Sequence, residues 1–189
     1  MRLVIVDGLD GVGKDTHARL IQEFFTSRGE TVIKRSHPET DNIYGRIAKK
    51  ALLGTGRINQ LKASVFYAID VLRSLRLYYR PMQYDNLIIV RYLMGTAYLP
   101  SSLAGFAYRL FEKFVPTSEF MFFLDAEPDR LLRRIHRRNE VEMFETHEAL
   151  VKVRGKALAL AKRWHVIDTS GSIEDTFLKI KEILVAESG

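Results

Sequence analysis

The most specific chemistry in this chain lies in nine residues near its start, Gly8-Leu9-Asp10-Gly11-Val12-Gly13-Lys14-Asp15-Thr16. They satisfy the spacing G-x-x-x-x-G-K and fall between a buried-looking apolar run, Leu3–Val6, and an amphipathic run that opens at Lys14. Glycines allow the backbone to wrap closely around phosphate oxygens with its N–H groups turned inward. The start of the following helix adds partial positive charge. Gly8, Gly11, Val12, Gly13, Lys14 and Thr16 are therefore candidate contacts for the phosphates of ATP, with Lys14 reaching the terminal ones. A hydroxyl residue that ligates magnesium ordinarily follows the lysine. Here Asp15 stands there, and Thr16 comes one place late, rotated about 100° around the helix. A carboxylate is a hard ligand, so Asp15 is the candidate holder of Mg2+; the alternative is that it only complements the helix dipole.

Other charged residues are weaker signals. Arg91 ends the apolar run Leu87–Val90, a poor place for a spectator cation. Arg130, Arg133, Arg134, Arg137 and Arg138 oppose Leu131, Leu132 and Ile135, as on a helix with a solvated face. Arg134 and Arg138, one turn apart, are the candidates among them for phosphate. The five histidines have no metal-binding spacing, no G-x-S-x-G elbow is present, and the absence of cysteine excludes thiolate metal sites and thiol nucleophiles.

Five apolar runs would have to position these groups: Leu3–Val6, Thr31–Lys34, Leu87–Val90, Phe120–Leu124 and Val166–Ile167. They alternate with helical patterns at Lys14 onward, Ile43–Leu53, Leu61–Arg80, Ser101–Phe114, Pro128–Arg138 and Thr146–Arg163. A last helix has Ser172 as its N-cap. Strands alternating with helices predict an α/β protein with a five-stranded parallel sheet covered by helices on both faces. Ligands of such sheets sit beyond the carboxyl ends of the strands, where the loop and Arg91 fall.

At 189 residues, 47% of them hydrophobic, the chain reads as one domain over 1–189 with an ordinary core. No apolar stretch approaches a membrane span, so a soluble, cytoplasmic protein is expected. Lys and Arg outnumber Asp and Glu by 29 to 23, a net charge of +6 that fits a nucleic-acid binder or a protein of small phosphorylated ligands alike. Convergence of Lys14, Arg91 and the arginine run on a phosphate site makes nucleic acid the weaker reading.

The chain resembles the thymidylate kinases, P-loop kinases of nucleoside monophosphates. The resemblance rests on Gly8-x-Asp10-x-x-Gly13-Lys14-x-Thr16, on His37-Pro38-Glu39 with Gly45-Arg46, and on Phe66-Tyr67-Ala68. Arg91-Tyr92, Leu124-Asp125-Ala126-Glu127-Pro128, Phe144-Glu145 and Val166-Ile167-Asp168 extend it. It implies a three-layer P-loop fold with a short helical lid at about 136–146, and transfer of the γ-phosphoryl of ATP to dTMP with Mg2+, Lys14, Arg91 and Arg138 being catalytic. It further implies that Asp10, Glu39, Phe66, Arg91 and Tyr92 face the acceptor, with Phe66 on the base, although on general burial tendencies Phe66 and Tyr67 would be core. Family members are commonly homodimers, and the helices Leu61–Arg80 and Ser101–Phe114 could pair.

Four departures bear on substrate. Val90 replaces an aspartate that helps hold magnesium, Thr40 an arginine for the acceptor phosphate, and Met143 a lid arginine. Asp70 replaces an arginine that donates to the pyrimidine edge. A carboxylate only accepts, so Asp70 could take thymine N3–H or a cytosine amino group, or pair with Arg73. Asp70 and Arg73 are accordingly expected to line the base pocket. Other acceptors (dUMP, dCMP or a deoxynucleoside) and a catalytically impaired nucleotide- or nucleic-acid-binding relative remain the rival readings.

Overall fold

Runs rich in Val, Ile and Phe pack well on a pleated surface, and here they form five strands: β1 (Arg2–Gly8), β2 (Val32–Ser36), β3 (Asn86–Val90), β4 (Met121–Asp125) and β5 (His165–Asp168). The computed structural model describes residues 1–54, 56–136 and 146–186. All strand pairs are parallel, in the order β2-β3-β1-β4-β5. Every residue of β3 is buried, as are Leu3–Gly8 of β1 and Met121–Leu124 of β4. Successive side chains point to opposite faces, so both faces of the central sheet are covered.

Seven α-helices occur among the described residues: α1 (Lys14–Thr26), α2 (Ile43–Leu52), α3 (Arg57–Ser74), α4 (Ser101–Phe114), α5 (Pro128–Ile135), α6 (His147–Leu160) and α7 (Ile173–Ala186). Helix α1 packs against β1, β2 and β3 and touches α7, whereas α4 and α6 pack together. Side chains cap three of the starts. Asn42 accepts from Gly45 N at 3.0 Å, Thr146 from Ala149 N at 3.3 Å, and Ser172 from Asp175 N at 3.0 Å.

Two stretches depart from the pattern expected. The helix expected over Leu61–Arg80 begins earlier, at Arg57, and its last turn, Leu75–Tyr79, widens to π winding. A 3-10 turn at Met94–Tyr98 follows β3, where the sequence has no helical period to announce it. Helix α5 ends at Ile135, and residues 137–145, which include Arg138 and most of the expected lid, lie outside the described residues.

The segment joining β2 to α2 forms one wall of the site, and Asp70 of α3 fixes it. That carboxylate is fully buried. Its Oδ2 accepts from His37 Nδ1 and from Glu39 N, both at 2.8 Å, and its Oδ1 accepts from Asn42 Nδ2 at 2.6 Å. Burial opposes the charge, but the bonds from His37 and Glu39 outweigh it and hold the carboxyl below its ordinary value. Ionised Asp70 only accepts, so His37 carries its proton on Nδ1. Helix α2 begins hard against this segment, since a Cβ on Gly45 would lie 1.8 Å from Glu39 O.

Two predictions follow from this wall. Gly45→Ala must push α2 off the backbone of Glu39 and should lower unfolding free energy by about 3 kcal/mol in urea titration. Asp70 stabilises the fold at pH above its unfolded value, near 3.9, and that contribution fades as pH falls through its lower folded value. Asp70→Asn should therefore cost about 2–4 kcal/mol at pH 7 and flatten the acid limb of the stability curve below about pH 4.

Candidate active site

The phosphate loop runs from the end of β1 to the start of α1. Gly8, Gly11 and Gly13 all have positive φ, at 145°, 82° and 96°. At Gly8 the need is also steric, because a Cβ would meet Leu124 O of β4 at 2.3 Å. Lys14 is buried within the loop, and its Nζ donates to Gly8 O at 2.8 Å and Leu9 O at 2.7 Å, with Asp10 Oδ1 at 3.4 Å. Burial lowers the pKa of Lys14 against the pull of Asp10. Asp10 is held below its ordinary value by Lys14 and Arg91, which together outweigh burial, and it accepts a bond from Tyr98 Oη at 2.9 Å.

Across the loop stands the segment that follows β3. Arg91 has φ 59°, a left-handed conformation sparsely populated by residues with a Cβ. This turn directs its guanidinium to Asp15 Oδ2 at 3.0 Å and Ser36 Oγ at 3.1 Å. Ser36 in turn donates to Asp15 Oδ1 at 2.6 Å. Burial disfavours both charges, yet each stabilises the other: the Asp15 carboxyl is held low and the Arg91 guanidinium high. Asp7, at the end of β1, fixes loop and segment relative to one another. Its carboxylate accepts from Gly8 N at 3.0 Å, Tyr92 N at 2.8 Å and Met94 N at 2.9 Å. Its burial raises its pKa.

Between these walls lies a cavity of about 320 Å³. Its lining combines the polar Asp10, Lys14, Ser36 and Arg91 with the apolar Leu52, Ala63, Leu99 and Phe111 and the ring of Tyr67. Tyr67 packs over Gly95, where a Cβ would lie 3.1 Å from the ring, and its hydroxyl donates to Tyr92 O at 3.2 Å. Lys49 is a further cation of the lining. Such a lining accepts a phosphorylated molecule whose flat, weakly polar part meets the apolar side chains.

The structure brings together Asp10, Lys14, Arg91 and Tyr92 on the cavity wall, with Asp15 behind Arg91. Arg134 lies on the far side of the loop, donating to Thr169 O at 2.9 Å. Four residues expected to face the acceptor do not line the cavity. Asp70 is buried beneath the β2–α2 segment, because three donors there satisfy a carboxylate that would otherwise be costly to bury. Arg73 turns to Asp41, 3.9 Å away, instead of to Asp70. Glu39 accepts from Ser36 N at 2.6 Å and faces Arg35. Phe66 stacks on Tyr44, and its neighbour Tyr67 takes the cavity face of α3. Val90 is fully buried in the core. Arg138 lies outside the described residues.

Sequence reasoning passed over Asp7, Ser36, Tyr98 and Lys49. Asp7 had a signal: an acid closing an apolar strand directly before a glycine loop needs buried partners. Nothing local distinguishes the other three.

The sequence profile of the thymidylate kinase family ("Thymidylate kinase") matches residues 6–180. A probable thymidylate kinase of Thermococcus onnurineus is 26% identical over 192 aligned positions, covering 91% of each chain. One from Methanosphaera stadtmanae is 27% identical, covering 84% of this chain and 83% of its own. Among solved structures, the thymidylate kinase of Candida albicans superposes with a TM-score of 0.79 at 15% identity, covering 99% of this chain and 92% of its own, a likeness of P-loop fold. With a family match that spans nearly all of its sheet, its phosphate loop and its cavity wall, this chain belongs to the thymidylate kinase family.

Proposed function

We propose that this protein transfers the γ-phosphoryl group of ATP to a nucleoside monophosphate, with dTMP as the acceptor. The observation that carries the reading is the cavity itself, whose lining combines Lys14 and Arg91 with the ring of Tyr67 and apolar side chains. Phosphoryl transfer asks the protein mainly to position groups and to neutralise charge. An oxygen of the acceptor phosphate attacks the γ-phosphorus, the bond to the β–γ bridging oxygen breaks, and ADP leaves with those electrons. The attacking oxygen is already ionised at neutral pH, so no strong general base is needed.

Each residue has a role in this reading. The loop amides around Gly11 and Gly13 hold the β-phosphate, and Lys14 leaves the carbonyls of Gly8 and Leu9 to meet the terminal phosphates. Arg91 draws the acceptor phosphate towards the γ-phosphate, and Arg138 of the lid stabilises developing charge. Tyr67 carries the base on its ring, and Lys49 meets a base carbonyl oxygen. Arg134 borders the donor nucleotide. Magnesium fits the donor set present. Among the described residues no cluster of three acidic or histidine ligands exists, and Mg2+ in such enzymes takes one or two carboxylates beside phosphates and water. Asp15 would hold it, and the bound ion would neutralise charge on the β- and γ-phosphates. Asp15 thereby takes over for the carboxylate that Val90 does not supply. No helix among the described residues is long and apolar enough to cross a membrane, and a cytoplasmic nucleotide pool supplies both substrates. The chain works as one kinase domain over 1–189, with its positive charge spent on small phosphates instead of a polynucleotide.

The partner in this reading is a second copy of the chain. Apolar side chains at 58, 61, 65 and 72 form a stripe along α3 and those at 103, 106, 110 and 114 one along α4. Ile58 is 85% exposed and Phe114 76%. Stripes this exposed mark a protein contact. Phe106→Glu paired with Leu61→Glu should convert a dimer to a monomer in analytical ultracentrifugation; a wild-type chain that sediments as a monomer removes this part of the reading.

The chemistry is tested by a coupled ADP-release assay with ATP, Mg2+ and a panel of dTMP, dUMP, dCMP and deoxythymidine. Turnover should be highest with dTMP, and Lys14→Ala should reduce it by at least about a thousandfold. Activity confined to another acceptor would replace dTMP in the reading, and a Lys14→Ala variant near full activity would overturn the assignment of the loop.

A further inference from the structure

Asp15 has two claimants that compete with one another. It accepts from Arg91 Nη1 at 3.0 Å through Oδ2 and from Ser36 Oγ at 2.6 Å through Oδ1, while Ser36 Oγ also accepts from Arg91 at 3.1 Å. This triangle ties together three elements: α1 through Asp15, the end of β2 through Ser36, and the segment after β3 through Arg91. One nitrogen of the guanidinium that lines the cavity, Nη1, is thus engaged by a carboxylate, and a phosphate arriving there shares the group with it. Asp15 also occupies the position after the loop lysine, where a hydroxyl residue ordinarily meets the metal of a bound triphosphate. A divalent cation on Asp15 weakens its hold on the guanidinium, because the two positive charges repel.

We propose that Asp15 is a positioning residue that couples the two substrates. It holds Arg91 while the donor site is empty, and leaves it for the divalent cation that arrives with the triphosphate. Arg91, still supported by Ser36 Oγ, is then free for the acceptor phosphate. The proposal rests on the phosphoryl-transfer reading above and adds an order of events to it. Donor with its cation raises acceptor affinity, and by linkage the acceptor raises donor affinity by the same factor. Side-chain exposure of 53% lets Asp15 make this exchange without opening the core.

Calorimetric titration of dTMP tests it without turnover. Into the wild-type protein, dTMP should bind about 5- to 150-fold more tightly with Mg2+ and a non-hydrolysable ATP analogue present than with neither. Asp15→Ala should bind dTMP several-fold more tightly than wild type in the absence of donor and metal, and should lose the coupling. Removing an acid near a phosphate can help by charge alone, so the same change is made in an Arg91→Ala background. There the gain should shrink to the part that charge alone supplies, because the rest of its action runs through Arg91. An equal gain in both backgrounds, or equal wild-type affinity with and without the analogue, overturns the coupling. Wild-type protein that binds no monophosphate at all overturns the functional reading instead. Asp15→Asn serves in the same cycle if the alanine variant does not fold.

Discussion

A single buried carboxylate, that of Asp7, sets the relation between the two halves of the site. It takes amide hydrogens from Gly8, at the carboxyl end of the central strand β1, and from Tyr92 and Met94, in the segment after its neighbour β3. An ionised carboxyl in a dry interior is expensive unless its oxygens are filled, and three backbone donors fill these. The bonds run to main chain, so they fix where the phosphate loop begins and where the chain turns after β3. That turn gives Arg91 its left-handed conformation and aims it back at the loop. Displacing either segment would strip buried oxygens of their donors, so electrostatics as well as sterics tie the two segments together.

Asp70 does a similar job at the other end of the wall. It binds the segment after β2 at three points, while Gly45 lets helix α2 start directly against it. Two buried acids, each filled by donors from chain segments distant in sequence, thus frame a cavity whose own walls are mostly apolar. Charge is used for structure behind the wall, and for the ligand only through the few cations of the lining, Lys14, Arg91 and Lys49.

The fold was largely legible from sequence because burial on both faces leaves continuous apolar runs, and five such runs between helical patterns leave few topologies. The phosphate loop was legible because glycine spacing, lysine and flanking elements must coincide for the chemistry to work. Asp70 and Phe66 were not. Both lie on α3, where pattern gives the spacing of a face but not its rotation about the helix axis. Tyr67 stands one position, or about 100°, from Phe66, and that rotation decides which ring meets the cavity. Asp70 followed the same logic: a polar residue on an apolar helix could equally face a ligand or a loop, and only tertiary contacts choose. The 3-10 turn after β3 was hidden because it is set by Asp7, a residue more than eighty positions earlier.

Both cations assigned to phosphate are satisfied within the protein: Lys14 by two carbonyls of its own loop, Arg91 by Asp15 and Ser36. Orthophosphate, which is abundant in cells, brings charge but no ring to lay against Tyr67 and so has little with which to displace those contacts. A nucleotide adds the apolar burial that tips the exchange. The site is thereby insulated from the simplest of its competitors, a selectivity that comes from the resting state of the protein and needs no group dedicated to rejection.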